Sequence, residues 1–447
     1  MRGLTALFVS VALAISCRSP EPPVKVVVLG FDGASWDTIE PSIRAGKLPY
    51  LERLRSESAW GPLETFKPTK SPVIWTSIAT GMTMEKHGIL DFVYLKENDL
   101  PVPFDNSERR EPSIWQILDH FGKRSVVVNW FVTYPPDRID GIMVSNRFRR
   151  ALLLGPERRR RMRDSVHPPE LFDRLLPFLD LDYEAVRRER ELPDLGEAYR
   201  KLHARESLDD VPVLKDYGVY VLQEALIENL ALELYRTEKF DFFAAYFRLP
   251  DIAQHVALHL IEPDRVEETL RAMAEGRLSA EERGRFQEEI SGVLLPFYQY
   301  MERILESFLE AEGSENTHFV VLSDHGFTLH AGGYDHYHIP ESEPPPSGIF
   351  LMRGPLARSG RTDSMNVYDI APTILHLFDL PVGSAMDGKP ATELLSVERD
   401  VRFERYSREL MRTATPGGPD RPDIDEELDR EIREKTLREL RSLWYIP

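Results

Sequence analysis

Five short runs of β-branched and aromatic residues constrain the fold of this chain more than any other sequence feature. Segments with helical patterns separate them, and such alternation is typical of a doubly wound α/β sheet. A run that is apolar throughout indicates a strand buried on both faces, as in a parallel sheet. We therefore predict an α/β fold with a mostly parallel sheet, flanked by helices and carrying helical insertions. The five runs are residues 24–29 (VKVVVL), 125–130 (SVVVNW), 239–247 (KFDFFAAYF), 317–322 (THFVVL) and 348–352 (GIFLM).

Changes of composition along the chain predict its domain organisation. Long segments with charged, helical patterns lie between some of the apolar runs. We therefore expect the sheet to be built from two separate parts of the chain. A stretch rich in Pro and Gly precedes a charged terminal helix. The predicted units are residues 1–23, a signal peptide and lipoprotein tether; 24–148, the first part of the core; 149–238, a helical insertion or cap; 239–400, the second part of the core, with a helical insertion at about 258–313; and 401–447, a linker and helix.

The N-terminus has the pattern of an export signal. Arg2 supplies a positive charge, residues 4–15 form an apolar run too short to span a bilayer, and Cys17 follows. This pattern is typical of a bacterial lipoprotein, in which a lipid on Cys17 anchors the protein to a membrane; an ordinary secretory signal or a buried N-terminal helix are the alternatives. We therefore expect an exported protein of the cell envelope or periplasm. Because Cys17 is the only cysteine, the fold cannot depend on intramolecular disulfides.

The charge of the chain excludes one class of partner. A net charge of −18 disfavours binding to nucleic-acid polymers, because contact with a phosphate backbone requires basic surface. A local basic cluster, residues 157–161 (ERRRR), predicts a solvated helix face or, alternatively, contact with an anionic substrate or a lipid surface.

Ser71 and Pro72 together form a helix-start signal. The pair predicts Ser71 as the N-cap and Pro72 as the first helical residue. The backbone N–H groups and the positive end of the helix dipole meet at such a position, which favours an anion. Ser71 is therefore either a capping residue or a nucleophile beside a phosphate or sulfate.

Aspartate and histidine residues recur at or just after predicted strands. Asp251 and His255 are four residues apart, so they face the same side of a helical turn. Both residue types are ligands for zinc, and carboxylates also suit manganese or magnesium. Each residue alone also fits a helix cap, a turn or a hydrogen-bonded core histidine, but together they predict a metal site. The set consists of Asp32, Asp251, His255, Asp324, His325, His330, Asp335, His336 and His338.

Several short motifs carry a family resemblance. They are Gly30-Phe31-Asp32-Gly33, Pro68-Thr69-Lys70-Ser71, Thr80-Gly81, His87-Gly88-Ile89, Pro250-Asp251 with His255, Ser323-Asp324-His325-Gly326, Gly348 with Gly354-Pro355, and residues 369–373 (DIAPT). In this order the chain resembles the alkaline phosphatase superfamily, in its type I phosphodiesterase and nucleotide pyrophosphatase branch. The resemblance covers about residues 24–148, 239–260 and 317–390.

The resemblance implies two divalent metal ions, usually zinc, with manganese as an alternative. It also implies that Ser71 attacks the phosphorus of a small phosphorylated substrate and that water then hydrolyses the phospho-enzyme. His338 is our choice for the last ligand, because 338–341 (HIPE) looks like a family motif, and His336 is its competitor. The implied ligands are Asp32, Ser71, Asp324 and His325 for one metal, and Asp251, His255 and His338 for the other.

The chain departs from the family pattern around the phosphate. From Ser71 it reads SPVI, where nucleotide pyrophosphatases usually read TFPN, and Pro72 lacks a backbone N–H that could hold an oxyanion. Phe92 stands where the family usually places an asparagine that hydrogen-bonds a phosphate oxygen. Asn129, at the end of a predicted strand, is either a replacement amide that binds substrate or a loop cap.

These features predict an exported, metal-dependent phosphohydrolase that cleaves phosphodiester or phosphoanhydride bonds through a phospho-seryl intermediate. A phosphotransferase or a phosphonate hydrolase on the same site is an alternative, and so is a non-catalytic surface lipoprotein that uses the fold as a binding module. A sulfatase is disfavoured, because formylglycine formation needs a C/S-x-P-x-R context and Ser71 is followed by Pro-Val-Ile-Trp.

Overall fold

The computed structural model describes residues 24–96, 100–203, 211–311, 313–414, 425–443 and 445–446. The predicted signal peptide and tether, residues 1–23, lie outside the described residues. The strands are β1 Lys25–Phe31, β2 Ala59–Leu63, β3 Val93–Lys96, β4 Leu100–Pro103, β5 Ser125–Val128, β6 Gly141–Val144, β7 Val166–His167, β8 Phe242–Phe247, β9 Thr317–Leu322, β10 Thr328–His330, β11 Gly333–Asp335, β12 Gly348–Arg353, β13 Gly360–Arg361, β14 Val382–Gly383 and β15 Phe403–Glu404.

Helices fill most of the remaining described chain. The α-helices are α1 Trp36–Arg44, α2 Pro49–Glu57, α3 Ser71–Thr80, α4 Met84–His87, α5 Ile114–His120, α6 Pro156–Arg159, α7 Phe172–Leu175, α8 Tyr183–Glu189, α9 Leu195–Leu202, α10 Pro212–Lys215, α11 Tyr217–Thr237, α12 Leu249–Val256, α13 Pro263–Ala274, α14 Ala280–Leu309, α15 Ile370–Leu377, α16 Glu409–Ala414 and α17 Glu426–Ser442. Short 3₁₀ turns include Phe148–Leu153, which follows β6, and Ala257–Leu260, which continues α12.

The predicted α/β fold with a mostly parallel sheet is confirmed. Nine strands form one sheet in the order β13-β2-β12-β9-β1-β8-β5-β6-β7. Strands β9, β1, β8, β5 and β6 run parallel, while β12 and β7 run antiparallel to their neighbours. Each of the five apolar runs supplies a strand of this sheet. Strand β1 lies at its centre, where Val27 pairs with Phe243 on one side and Phe319 on the other.

Side chains of the central strand alternate between two apolar layers. Val27 and Leu29 face a layer that contains residues of α1, α11 and α14, whereas Val26 and Val28 face a layer that contains residues of α3, α5 and α15. The helices α11 and α14 come from the two segments predicted as insertions, and they bury their apolar faces in the same layer as the sheet. The domain boundaries stay a prediction.

A search of the described residues finds no helix with the length and apolar character needed to cross a membrane.

A close approach between β1 and α3 generates a stability prediction. A Cβ atom added at Gly30 would lie 2.5 Å from ring atoms of Trp75, whose side chain is fully buried. We expect Gly30→Ala to lower the free energy of unfolding by about 2 kcal/mol, because an overpacked core must shift. Denaturant titration followed by circular dichroism measures this loss.

The matched control is Gly292→Ala in α14. A Cβ at Gly292 would meet no described heavy atom within 4 Å. Since alanine favours a helix over glycine by about 1 kcal/mol, this variant should be at least as stable as the parent protein. Equal stability of the Gly30→Ala variant and the parent would contradict the predicted contact.

Candidate active site

Three neighbouring strands of the sheet each lead to a buried aspartate. Asp32 directly follows β1, Asp324 follows β9, and Asp251 lies in the first turn of α12, just after β8. Their exposed fractions are 2%, 0% and 1%. Because β9, β1 and β8 are adjacent and parallel, the ends of the strands meet at one edge of the sheet, where open α/β folds bind ligands.

The first cluster consists of Asp32, Asp324 and His325. Its three ligand atoms lie within 4.8 Å of one another. The Nε2 atom of His325 is 3.4 Å from Asp32 Oδ1 and 3.4 Å from Asp324 Oδ2. Ser71 Oγ lies beside this cluster, 3.5 Å from Asp32 Oδ1 and 3.4 Å from His325 Nε2. The cluster therefore surrounds a hydroxyl with groups that can accept its proton or share a cation with it.

Ser71 is the first residue of α3 and not its cap, so the predicted helix start is wrong by one residue. Lys70 is the N-cap, with φ −109° and ψ 115°. Its carbonyl accepts the first helical hydrogen bonds, from the N–H groups of Val73 at 2.9 Å and Ile74 at 3.0 Å. The Ser71 hydroxyl is therefore left to face Asp32 and His325.

The second cluster consists of Asp251, His255 and His336. Asp251 Oδ1 lies 3.5 Å from Nε2 of His255 and 3.8 Å from Nε2 of His336. The structure places His336 here and not His338, whose side chain is 68% exposed and is directed to Asp335. His336 and His338 both follow β11 and are separated by one residue. Only His336 turns inward, where it is fully buried. His336, the competitor, is therefore the candidate for the last ligand position, and His338 lies outside the cluster.

Stacked imidazole rings join the two clusters. The rings of His325 and His336 lie 3.8 Å apart and nearly parallel, with 9° between their planes. Nδ1 of His325 donates to the Gly326 carbonyl at 3.1 Å, and Nδ1 of His336 donates to the Thr69 carbonyl at 3.0 Å. These bonds fix the tautomer of each ring, so that both Nε2 atoms face the site with free lone pairs.

Each of the three carboxylates has one oxygen held and the other directed into the site. The Tyr246 hydroxyl donates to Asp32 Oδ2, and the Tyr445 hydroxyl donates to Asp251 Oδ2 at 2.8 Å. The Gly33 N–H donates to Asp324 Oδ1 at 3.4 Å. The other oxygens of Asp251 and Asp324 have no hydrogen-bond partner among the described residues, and that of Asp32 lies 3.5 Å from Ser71 Oγ.

Burial shifts the proton affinities of these residues. It raises the pKa of Asp32 to about 7, with a further contribution from the charge of Asp251, and it raises the pKa of Asp324. Burial also opposes ionisation of Asp251, but His255 lowers the pKa of that carboxyl below its ordinary value. The pKa of His325 is lowered to about 4 by burial, and that of His336 is lowered well below 6.5. Both rings are neutral at pH 7, which is the form that binds metal.

The two clusters fit divalent cations. Among the described residues, Asp251 Oδ1, Asp324 Oδ2 and His336 Nε2 are buried without a hydrogen-bond partner. An orphaned buried carboxylate oxygen costs free energy unless it is paired or coordinates a metal. Carboxylate and imidazole ligands that converge within a few ångströms suit zinc or manganese. The candidate ligands are Asp32, Asp324 and His325, with Ser71 beside them, and Asp251, His255 and His336.

The C-terminal helix α17 and the residues that follow it supply side chains that sequence reasoning missed. Tyr445 contacts both Asp251 and His255, with its hydroxyl 2.9 Å from His255 Nε2. A pocket next to Ser71 is bounded by this segment and by three buried arginines. The lining residues include Ser71, Phe92, Phe104, Phe131, Arg149, Arg150, Arg248, Glu439 and Tyr445. The basic run at residues 147–150 (RFRR), shortly after strand β6, is the sequence feature that could have indicated Arg149 and Arg150.

The residues that depart from the family pattern have distinct positions. Phe92 lines the pocket and stacks on Tyr445 with ring centroids 4.3 Å apart. It therefore forms an apolar wall at the position where the family usually has an asparagine. Pro72 lines the same pocket. Asn129 donates from Nδ2 to the Tyr246 carbonyl at 2.9 Å and is not among the described residues that line the pocket. Its role in substrate binding stays a prediction.

The basic cluster at residues 157–161 contacts the protein's own C-terminal helix. Arg158 pairs with Glu431 and Glu427, and Arg161 pairs with Asp425. The cluster is thus partly engaged in holding α17, a role that the sequence did not reveal because its partners lie more than 260 residues away.

Comparison with known proteins identifies the family. The model of the type I phosphodiesterase / nucleotide pyrophosphatase family matches residues 26–341, which is well over half of the chain. The matched range includes every residue of both clusters and Ser71.

Solved structures match this chain at low sequence identity, and the two with TM-scores above 0.5 show the same fold. A 2-O GAG sulfatase is 10% identical, with a TM-score of 0.52, and the match covers 86% of this chain and 78% of that one. A putative sulfatase from Bacteroides thetaiotaomicron is 11% identical, with a TM-score of 0.51 and 94% of both chains covered. Murine ectonucleotide pyrophosphatase / phosphodiesterase 5 is 13% identical over 83% of this chain and 100% of that one, with a TM-score of 0.47.

The geometry of the second cluster generates a metal-binding prediction. We expect His336→Ala to remove one of two bound divalent ions, because Nε2 of His336 faces Asp251 and His255. His338→Ala is the matched control and should keep both ions, since its ring lies outside the clusters. Elemental analysis of the purified variants, after dialysis against zinc, measures the metal content. Loss of metal in the His338→Ala variant alone would contradict the assignment.

Proposed function

Because the chain belongs to the type I phosphodiesterase / nucleotide pyrophosphatase family, and is therefore a hydrolase of phosphate esters or anhydrides, we propose that it cleaves phosphodiester or phosphoanhydride bonds with Ser71 as nucleophile. One observation carries the proposal. Ser71 Oγ lies at the start of α3, within 3.5 Å of Asp32 Oδ1 and 3.4 Å of His325 Nε2, and opens onto the pocket. The same position at a helix N-terminus favours a bound phosphate.

The proposal includes two divalent cations, for which zinc fits the donor set best. Asp32, Asp324 and His325 would hold one, and Asp251, His255 and His336 the other. When bound, such cations would lower the pKa of the Ser71 hydroxyl and neutralise charge on the attacking and leaving oxygens. The orphaned oxygens of Asp251 and Asp324 support this part of the proposal.

Ser71 Oγ would lose its proton and form a bond to phosphorus as the bond from phosphorus to the leaving oxygen breaks, and the proton that the leaving oxygen takes up balances the one lost by Ser71. The leaving group departs as an alcohol or a phosphate, and Ser71 carries the phosphoryl group. Water then attacks the same phosphorus, which releases the phosphorylated product and restores the hydroxyl. Aromatic side chains of Phe92, Phe104 and Phe131 form an apolar wall that limits access of bulk water and can hold the second ester group.

The first test concerns the nucleophile. We expect Ser71→Ala to lower turnover of bis-p-nitrophenyl phosphate by about a thousandfold or more, because it removes the hydroxyl that lies 3.4 Å from His325 Nε2 and opens onto the pocket. The parent protein should prefer this diester to p-nitrophenyl phosphate. A chromogenic assay at saturating metal measures both rates.

Ser56→Ala, which changes an exposed serine in α2, serves as the matched control and should keep full activity. Metal content and circular dichroism of the Ser71→Ala variant should equal those of the parent, so that lost activity reports chemistry and not unfolding. Full activity in the Ser71→Ala variant would refute the proposed nucleophile.

We further propose that the protein is exported and held at a membrane by a lipid on Cys17. The support is the sequence alone: Arg2, the apolar residues 4–15 and the single cysteine that follows them. One acyl chain gives only marginal membrane binding, whereas a multiply acylated N-terminus anchors stably.

The lipid proposal predicts how the protein partitions. The full chain expressed in a Gram-negative host should incorporate labelled palmitate and enter the detergent phase of a Triton X-114 separation. Cys17→Ser should abolish both, because the thiol is the acylated group. Equal partitioning of the two proteins would contradict a lipid on Cys17.

A further inference from the structure

Three buried arginines share the pocket with the nucleophile. Arg149 and Arg150 follow β6 in a 3₁₀ turn, and Arg248 follows β8, three residues before Asp251. Their exposed fractions are 4%, 5% and 5%. All three line the same pocket as Ser71 and Asp32. Such burial is rare for arginine unless its charge is paired.

A single carboxylate faces all three guanidinium groups. Glu439 of α17 accepts from Arg149 Nη1 at 3.3 Å and from Arg248 Nη1, and it pairs with Arg150. Within the described ranges, no other acidic side chain forms an ion pair with any of these arginines. The Nε atoms of Arg149 and Arg248 are buried and have no hydrogen-bond partner among the described residues.

The three arginines outnumber the one carboxylate that forms ion pairs with them. Burial and the charge of Arg248 lower the pKa of Arg149 to about 9, and the charge of the buried Glu224 partly opposes this shift. Buried cations that share one carboxylate are incompletely compensated, and an incoming anion would supply further compensation.

We propose that Arg149, Arg150 and Arg248 form a second anion subsite, which binds an acidic group of the substrate other than the phosphate that is cleaved. Glu439 occupies the position of that group in the structure. The inference rests on the proposed function of Ser71 and adds to it a substrate class: phosphodiesters or phosphoanhydrides that carry a further carboxylate or phosphate.

The surroundings leave room for such a substrate. Arg150, Asn146 and Thr436 line both this pocket and an adjacent one that runs along α17. A planar guanidinium binds carboxylate and phosphate with two parallel hydrogen bonds, so three of them can hold either group firmly. The apolar wall at Phe92 offers no hydrogen bond to the cleaved phosphate, so the second anion would supply binding energy that orients the substrate.

The test compares matched chromogenic diesters on the full-length, metal-loaded protein. One series is alkyl p-nitrophenyl phosphates, and the other carries a terminal carboxylate on alkyl chains of graded length. We expect kcat/KM for the best carboxylate to exceed that of its uncharged counterpart by about tenfold or more, as for a hydrogen bond to a charged group. Equal kcat/KM across both series would overturn the subsite.

Two variants separate binding from scaffolding. Arg150→Gln should lower the ratio of kcat/KM between the charged and uncharged substrates by about tenfold. Glu439→Gln should raise this ratio, mainly through a lower KM, because the competing carboxylate is gone. A purely structural role of Glu439 would lower both rates together and leave the ratio unchanged.

Arg158→Gln is the matched control. It breaks ion pairs to Glu427 and Glu431 of α17 but lines neither of the two pockets, so the ratio should stay at the parent value. Failure of this inference is distinguishable from failure of the proposed function. Hydrolysis of both series at equal rates refutes the subsite alone, whereas no hydrolysis of either series refutes the nucleophile as well.

Discussion

The burial of three aspartate side chains at one edge of the sheet is the constraint on which the rest of the site depends. Asp32, Asp251 and Asp324 are each at most 2% exposed, and the backbone at the strand ends fixes their positions. Protein donors satisfy one oxygen of each. The histidines between them are held neutral by burial and cannot supply the missing positive charge. Divalent cations would resolve this imbalance, and the same cations would activate the hydroxyl placed next to them.

The C-terminal helix completes the site from the opposite side. A basic stretch that follows β6 holds it through the pairs of Arg147 with Asp429, Arg158 with Glu431 and Arg161 with Asp425. Beyond the helix, Tyr445 reaches Asp251. A substrate in this pocket would therefore contact the carboxylates and imidazoles at the sheet edge on one side and the buried arginines that pair with α17 on the other. Because the two sides are separate, residues at the sheet edge can determine the chemistry while residues beside α17 determine the choice of substrate.

The strands and their terminal acids were predictable because both follow from local pattern. Apolar runs of strand length leave few alternatives, and parallel strands bring Asp32 and Asp324 together without further information. The choice between His336 and His338 was not predictable, because it depends on how the chain turns after β11. The sequence predicted Ser71 as the N-cap, whereas α3 begins at Ser71 and Lys70 is the N-cap. Tertiary contacts set helix ends, so a local pattern does not fix this position. Tyr445 and Glu439 lie about 190 residues from their partners, beyond the reach of any local pattern.

The hydrogen-bonded order β9-β1-β8 has a consequence for how this molecule can vary. Adjacent strands lie about 4.8 Å apart, so the sheet itself fixes the separation of the aspartates that follow them. The long helical segments enter the chain between these strands and leave their pairing intact. Insertions and deletions in those segments can therefore change the mouth of the pocket, while the sheet keeps the distances between the three aspartates constant. Substitutions that change the choice of substrate would accumulate in the helices, and the spacing of the aspartates would be inherited unchanged.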